Sequence, residues 1–286
     1  MTLREVSVSF LASQSLFPIG KRLFVIRPHV MKVPIETTSD SQVRDGKVLV
    51  VGVGGLGCPA ALALVRAGVG TIGLIDPDVV ELSNLQRQIL HATPDIGRPK
   101  VDSAREKLQR INPDAAIVTY HQRLSVENLP VLFRQYDFII DGTDGVATKF
   151  LINDGAVLLR KPFSYAGIVQ FQGQTLTVLP GRSTCLRCLF PVIPSADDIP
   201  TCQESGIIGS LAGSIGILQA TAAVQYLRGA GELLADRLLT YDALALRWRE
   251  VRVHRSRLCP LCGDSPTITE LESGFQEDTP PCTLGG

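Results

Sequence analysis

Four of the seven cysteines fall in two identical spacings, Cys185-Leu-Arg-Cys188 and Cys259-Pro-Leu-Cys262. Each C-x-x-C offers two thiolates from one turn, and two such knuckles complete a tetrahedral zinc site. With thiolate at all four corners there is no place for water, so the zinc is expected to be structural. A redox dithiol is the rival reading of either pair alone, and the presence of two pairs argues against it. Cys202 sits in the loop Ile199-Pro-Thr-Cys-Gln-Glu-Ser205. It could act as a nucleophile or be inert, with no histidine or lysine close in sequence to lower its pKa. Cys58, followed by Pro59, reads as packing, and Cys282 carries no signal.

The second chemical signal runs from Val48 to Arg87. An apolar run leads into Gly52-Val-Gly-Gly-Leu-Gly57, and a second apolar run ends at Asp76. Gly52, Gly54, Gly55 and Gly57 would let backbone N–H groups approach a phosphate, with the positive end of the following helix behind them. Asp76, where the second strand should end, would reach a ribose hydroxyl. A merely structural glycine turn would read the same way, and NAD fits these features as well as ATP does. The polar string Ser83-Asn-Leu-Gln-Arg-Gln88 shifts the balance toward a triphosphate. Asn84 and Arg87 share a face if this piece is helical. Arg87 and Lys100 could then neutralise charge that builds on a leaving pyrophosphate. Asp144, in Asp141-Gly-Thr-Asp144, is placed to hold Mg²⁺ through phosphate oxygens or water. Its bland alternative is a turn-former or helix cap.

These residues need a scaffold that alternates strand and helix, and the chain supplies one. Strands are expected at 47–52, 70–76, 115–122, 138–141 and near 162–167, with helices at about 55–67, 100–111 and 146–160. Ser125 is expected to cap a further helix of about ten residues. Asn112-Pro113 stops the 100–111 helix. Gln170 to Leu179 and Leu238 to Val253 alternate in twos, which adds antiparallel strands. The fold class is therefore α/β: a Rossmann-like, doubly wound, mainly parallel sheet extended by antiparallel strands, with a structural zinc site. Residues 1–42 form an N-terminal arm of uncertain structure, 43–265 the nucleotide-binding domain, and 266–286 a flexible tail.

Composition sets outer limits. With 286 residues, Lys plus Arg equal to Asp plus Glu at 28 each, and 45% hydrophobic residues, the chain is an ordinary globular protein. It gives no global reason to expect nucleic acid or an anionic membrane as partner. The N-terminus lacks a basic-then-apolar signal segment, so cytoplasmic residence and reduced cysteines are expected. Ile207 to Leu227 is uncharged and long enough to suggest a membrane span, but its glycines, serines and glutamines favour a buried, closely packed helix. The terminal Leu284-Gly-Gly286 is similar to the tail of a ubiquitin-like protein, although no β-grasp pattern precedes it.

Taken together the motifs resemble the adenylyltransferases that activate sulfur-carrier proteins in molybdopterin and thiamin biosynthesis, relatives of the ubiquitin-activating enzymes. The resemblance runs from about Lys47 to Gly263. It rests on the glycine cluster, Ile75-Asp-Pro-Asp-Val-Val-Glu-Leu-Ser-Asn-Leu-Gln-Arg-Gln88, Gly97-Arg-Pro-Lys100, Asp141-Gly-Thr-Asp144 and the two knuckles. It implies that Gly55 and Asp76 contact ATP, that Asn84, Arg87 and Lys100 contact its phosphates, and that Asp144 positions Mg²⁺. Cys202 would match a loop cysteine that in some members transfers sulfur. The implied partners are a small ubiquitin-like sulfur carrier ending in Gly-Gly, a separate persulfide donor, and a second copy of the chain, with the 207–227 helix a candidate interface. Two features depart from the family. No Arg-Tyr-x-Arg motif precedes the glycines, leaving Arg27 or Arg22 as its substitute, and Gly145 stands where asparagine is common. An NAD-dependent dehydrogenase and a catalytically silent carrier-binding member are the alternatives.

Overall fold

The computed structural model describes residues 41–193 and 208–271. At the centre of the parallel part of its sheet lies β1 (Lys47–Val51), buried from Val48 onward. It runs parallel to β2 (Thr71–Ile75) on one side and to β4 (Phe138–Asp141) on the other, with Val50 opposite both Leu74 and Ile140. Beyond β2 lies β3 (Ala116–Tyr120), and beyond β4 lies β5 (Phe163–Val169), both parallel to their neighbours. Three antiparallel strands then extend the sheet: β6 (Gln172–Val178), β7 (Arg237–Asp242) and β8 (Arg247–Arg252), giving the order β3-β2-β1-β4-β5-β6-β7-β8.

Alternation along the buried strands sorts side chains into two cores. Val48, Val50, Ile72, Leu74, Phe138 and Ile140 face the helices α2 (Gly57–Arg66), α3 (Lys100–Ile111) and α7 (Gly209–Arg228). Leu49, Val51, Ile75, Ile139 and Phe163 face α4 (Leu129–Arg134) and α5 (Val146–Leu158) on the other side. A sheet covered on both faces buries every residue of its central strands, which is why those strands read as apolar runs. Two short helices, α1 (Ser41–Asp45) and α6 (Leu186–Leu189), complete the described α-helices.

The expected helix capped by Ser125 begins later and is shorter. The Asn128 side chain accepts the Ser125 N–H at 2.9 Å and donates to the Arg123 carbonyl at 2.8 Å, so the chain completes a turn before α4 starts at Leu129. Pro130 sits in the first turn of α4, where its missing N–H costs nothing. The long apolar stretch forms α7, and its small residues have a visible purpose. A side-chain carbon added at Gly216 would stand 2.3 Å from the Leu56 carbonyl oxygen, so α7 packs backbone to backbone on the start of α2. Among the described residues no helix is long and apolar enough to cross a membrane. Beyond residue 265, Ile268 and Leu271 pack on the second core, and the Thr267 and Ile268 N–H groups bond the Pro260 carbonyl.

Candidate active site

The connections of β1 and β4 leave in opposite directions, toward β2 and toward β5, so a crevice opens beyond their carboxyl ends. Two loops line it. The turn after β1 starts with Gly52 at φ +86, a conformation that suits glycine, and a side-chain carbon there would stand 2.8 Å from the Gly142 carbonyl oxygen. At Gly57 the same atom would stand 1.8 Å from the Gly52 carbonyl oxygen, so only glycine lets α2 begin this close to the turn. Among the described residues, nothing accepts the N–H of Gly54 or Gly55.

Asp76 follows β2 directly and is buried. Its Oδ2 accepts the Val53 N–H at 2.7 Å and its Oδ1 the Asp78 N–H at 2.8 Å, so it holds the glycine turn from below. Burial raises its pKa above the usual carboxylate range, and the ammonium of Lys100 and the Val53 N–H oppose that rise without cancelling it. Lys100 opens α3, is itself buried, and places Nζ 2.7 Å from Asp78 Oδ2. Burial alone would lower its pKa. Asp76, Asp78 and Asp144 more than offset that, so the ammonium stays charged and sits above its ordinary value.

The polar string folds as a 3-10 turn, Leu82–Asn84, followed by turns in which the Asn84 carbonyl accepts the N–H groups of Arg87 and Gln88. Asn84 is buried, donating to Ser83 Oγ at 3.0 Å and accepting from Gln88 Nε2 at 3.1 Å. The Arg87 side chain lies over the glycine turn, its Cγ and Cδ 3.5 and 3.6 Å from where a Cβ on Gly55 would be. Its guanidinium donates to the Ser83 carbonyl at 3.3 Å.

Asp144 is exposed on the loop after β4. That loop is tied down at Asp141, whose Oδ1 accepts the Thr143 N–H at 3.1 Å and the Thr143 hydroxyl at 2.7 Å. Beneath it the buried Lys149 of α5 donates to Asp141 Oδ2 at 3.1 Å, the Thr143 carbonyl at 2.7 Å and the Ala166 carbonyl at 2.6 Å. Sequence reasoning missed Lys149, because a lysine near the start of a helix reads as a solvent-facing charge. It also passed over Gln88, whose amide lies 3.7 Å from a Cβ position on Gly54, and His91. Cys58 is buried as expected, and burial pushes its thiol pKa up to about 12. Cys202, Arg22 and Arg27 lie outside the described residues.

The four knuckle cysteines converge. Their sulfur atoms all lie within 4.8 Å of one another, with Cys185–Cys188 at 3.8 Å, Cys185–Cys259 at 3.6 Å and Cys188–Cys262 at 3.4 Å. A tetrahedron of thiolates about 2.3 Å from a central zinc has edges of about 3.8 Å, so the set fits that ion. The first knuckle is fastened to α5. Asn153 Oδ1 accepts the Leu186 N–H at 2.8 Å, and Arg187 forms a buried ion pair with Asp154 at 2.7 Å while lying over the Phe150 ring.

Residues 28–261 match the ThiF family. The chain is 43% identical over 235 residues to the sulfur carrier protein adenylyltransferase of Thermus thermophilus, which covers 80% of this chain and 87% of that protein. It is 42% identical over 232 residues to the adenylyltransferase and sulfurtransferase MOCS3 of Culex quinquefasciatus, covering 80% of this chain but 53% of MOCS3, so it spans about half the length of that relative. In fold it is similar to E. coli MccB in a structure with MccA-N7isoASN, at a TM-score of 0.71 and 20% identity, over 78% of this chain and 68% of that one.

Proposed function

The chain belongs to the ThiF family, and from that premise we infer that it is an ATP-dependent adenylyltransferase acting on a small ubiquitin-like sulfur-carrier protein. The observation that carries this reading is Lys100: a buried ammonium 2.7 Å from Asp78 and facing Asp76, the carboxylate that holds the glycine turn. Such a cation suits a reacting triphosphate better than a dinucleotide, whose diphosphate a helix end already serves.

In the reaction assigned to it, a carboxylate oxygen of the carrier's terminal glycine forms a bond to the α-phosphorus of ATP. The bond from that phosphorus to the bridging oxygen breaks, and pyrophosphate leaves with the electron pair. The Gly54 and Gly55 N–H groups receive phosphate oxygens, and the half-bonded Asp76 carboxylate keeps a lone pair for a ribose hydroxyl. Arg87 and Lys100 stabilise the charge that grows on the leaving group, with Asn84 and Ser83 holding the Arg87 segment in place. Asp144 would hold Mg²⁺, which when bound supplies further charge neutralisation on the phosphates. The four knuckle cysteines would hold a structural Zn²⁺. The outer sulfur of a separate protein's persulfide would attack the adenylate carbonyl and displace AMP. A thiol, the role assigned to Cys202, would then break the S–S bond of the acyl disulfide, releasing the thiocarboxylate and forming a disulfide with the donor. Ile217 is exposed on α7, which supports that helix as the interface of a homodimer. Thiolate-only knuckles suit a reducing compartment, and the protein is assigned to the cytoplasm.

The test is exchange of labelled pyrophosphate into ATP in the presence of Gly-Gly-ended small proteins from the same cell. Carrier-dependent exchange is expected. ATP binding without exchange would leave a silent carrier-binding protein, and tight NADH binding in place of ATP would replace the reading with a dehydrogenase.

A further inference from the structure

Behind the glycine turn lies a buried polar chain that the reaction does not use directly. His91 is buried, with Nε2 3.2 Å from the Val53 carbonyl oxygen and Nδ1 2.9 Å from Ser103 Oγ. Lys107 Nζ donates to Ser103 Oγ at 2.9 Å and also bonds Asp95. The Cys58 thiol adds a second donor to the Val53 carbonyl at 3.3 Å.

The donor and acceptor inventory fixes where the protons are. Nε2 also lies 3.6 Å from Cys58 Sγ, but that thiol donates to the Val53 carbonyl, and since a carbonyl only accepts, the 3.2 Å contact from the ring is a hydrogen bond only with hydrogen on Nε2. Lys107 only donates, so Ser103 Oγ accepts from it and is free to give its own proton elsewhere. The Ser103 proton has two acceptors in reach, His91 Nδ1 and Asp95, whose oxygens also accept from Arg98, the Ala92 N–H and Lys107; a ring with hydrogen on Nε2 leaves Nδ1 to accept it. The ring is therefore neutral, with hydrogen on Nε2. Burial lowers its pKa, Lys107 and Lys100 lower it further, and Asp95 opposes them.

Val53 is consequently held inward at both ends, its N–H by Asp76 and its carbonyl by His91. A trans peptide points its C=O and its N–H in opposite directions. With the Val53 carbonyl aimed at the core, the N–H of Gly54 must aim at the crevice. We propose that His91 is a positioning residue for nucleotide binding, turning the Gly54 N–H outward to a phosphate by holding the Val53 carbonyl. This rests on the ATP-site reading, and two measurements separate its failure from the failure of that reading.

The first is calorimetric titration of the full chain, and of H91F and H91Q, with ATP and Mg²⁺. Phenylalanine keeps the volume and removes the donor; glutamine keeps an N–H near the position of Nε2. H91F should bind ATP about tenfold more weakly, the worth of one charge-assisted hydrogen bond, and raise KM for ATP in the exchange assay with kcat little changed. H91Q should recover most of the affinity. Wild-type affinity in H91F, or H91Q as weak as H91F, would overturn the proposal; no ATP binding by the parent chain would remove the ATP-site reading itself. The second is ¹⁵N NMR of the histidine ring in the unmutated chain, where the Nε2–H tautomer is expected and the Nδ1–H tautomer would refute the arrangement.

Discussion

Replacing Cys262 by serine should destabilise the whole domain by an amount the topology sets. The thiol of Cys262 lies 3.4 Å from those of both Cys188 and Cys185, and the pairs it helps bring together are 74 residues apart in sequence. A cross-link closing a loop of that length withdraws about 4 kcal/mol of chain entropy from the unfolded state. Serine is nearly isosteric with cysteine, so no cavity term is added, and the loss is that of the proposed zinc clip. For a domain of this size 1 kcal/mol corresponds to about 2–4 °C, which places the fall in Tm near 10 °C. The assay pairs metal content of the purified protein with its melting curve. A strong chelator should bring the parent down to the melting point of the variant, and excess zinc should restore only the parent. The loosening should also reach α5, because Arg187 and Leu186 grip Asp154 and Asn153 from the first knuckle, and faster amide exchange around Asn153 and Asp154 in the metal-depleted protein would register it. A variant that loses zinc yet melts within about 2 °C of the parent would refute the clip, since the cross-link would then contribute little to the folded chain.

Three further outcomes follow from the same geometry. Asp144→Ala should lower pyrophosphate exchange by about a hundredfold or more while leaving Tm within about 2 °C, because the side chain is exposed; equal losses in both would assign it a structural role. Lys149→Met leaves the fully buried Asp141 carboxylate without its cation and should cost about 3–5 kcal/mol in urea denaturation, with Lys149→Arg recovering part of it; a loss under about 1 kcal/mol would show the pair to be dispensable. His91 is held neutral below its ordinary value of 6.5, so the unfolded chain takes up a proton that the folded chain refuses, and stability should fall as pH drops from about 6.5 through the lowered folded value. His91→Gln should flatten that slope in melts between about pH 7.5 and about pH 5, and an unchanged slope would assign the acid sensitivity elsewhere.

Local signals placed the elements wherever they were strong. Helix α3 runs Lys100–Ile111 and β4 runs Phe138–Asp141, as the sequence predicts, because Gly97-Arg-Pro and Asn112-Pro113 punctuate the one and an unbroken apolar run defines the other. Helix α4 starts at Leu129 and not at Ser125 because the Asn128 amide first ties the Ser125 N–H and the Arg123 carbonyl into a turn. The residues proposed to face an anion stand out in the sequence because glycine, arginine and lysine at these spacings have few other uses. What holds them does not. Lys149 reaches Asp141 and Ala166 only because β4 and β5 lie side by side, and His91 reaches Val53 across 38 residues. No periodicity carries that information, since each is a single polar residue among apolar neighbours.

The two loops of the crevice touch where Gly52 meets Gly142, and each rests on a buried charge supplied from elsewhere. Asp76 comes from the end of β2 and holds the first loop; Lys149 comes from α5 and holds the second. A loop held only by its own residues could relax when a triphosphate brings several negative charges into the crevice. These loops cannot relax without uncovering a charge already desolvated, and exposing or unpairing such a group costs several kcal/mol. The same logic explains Lys100. Its three carboxylate neighbours keep it protonated in a buried position, so no proton has to be acquired when phosphate arrives. The cation and the glycine N–H groups are therefore oriented before substrate binds, which is the condition under which electrostatic stabilisation of a leaving group is most effective.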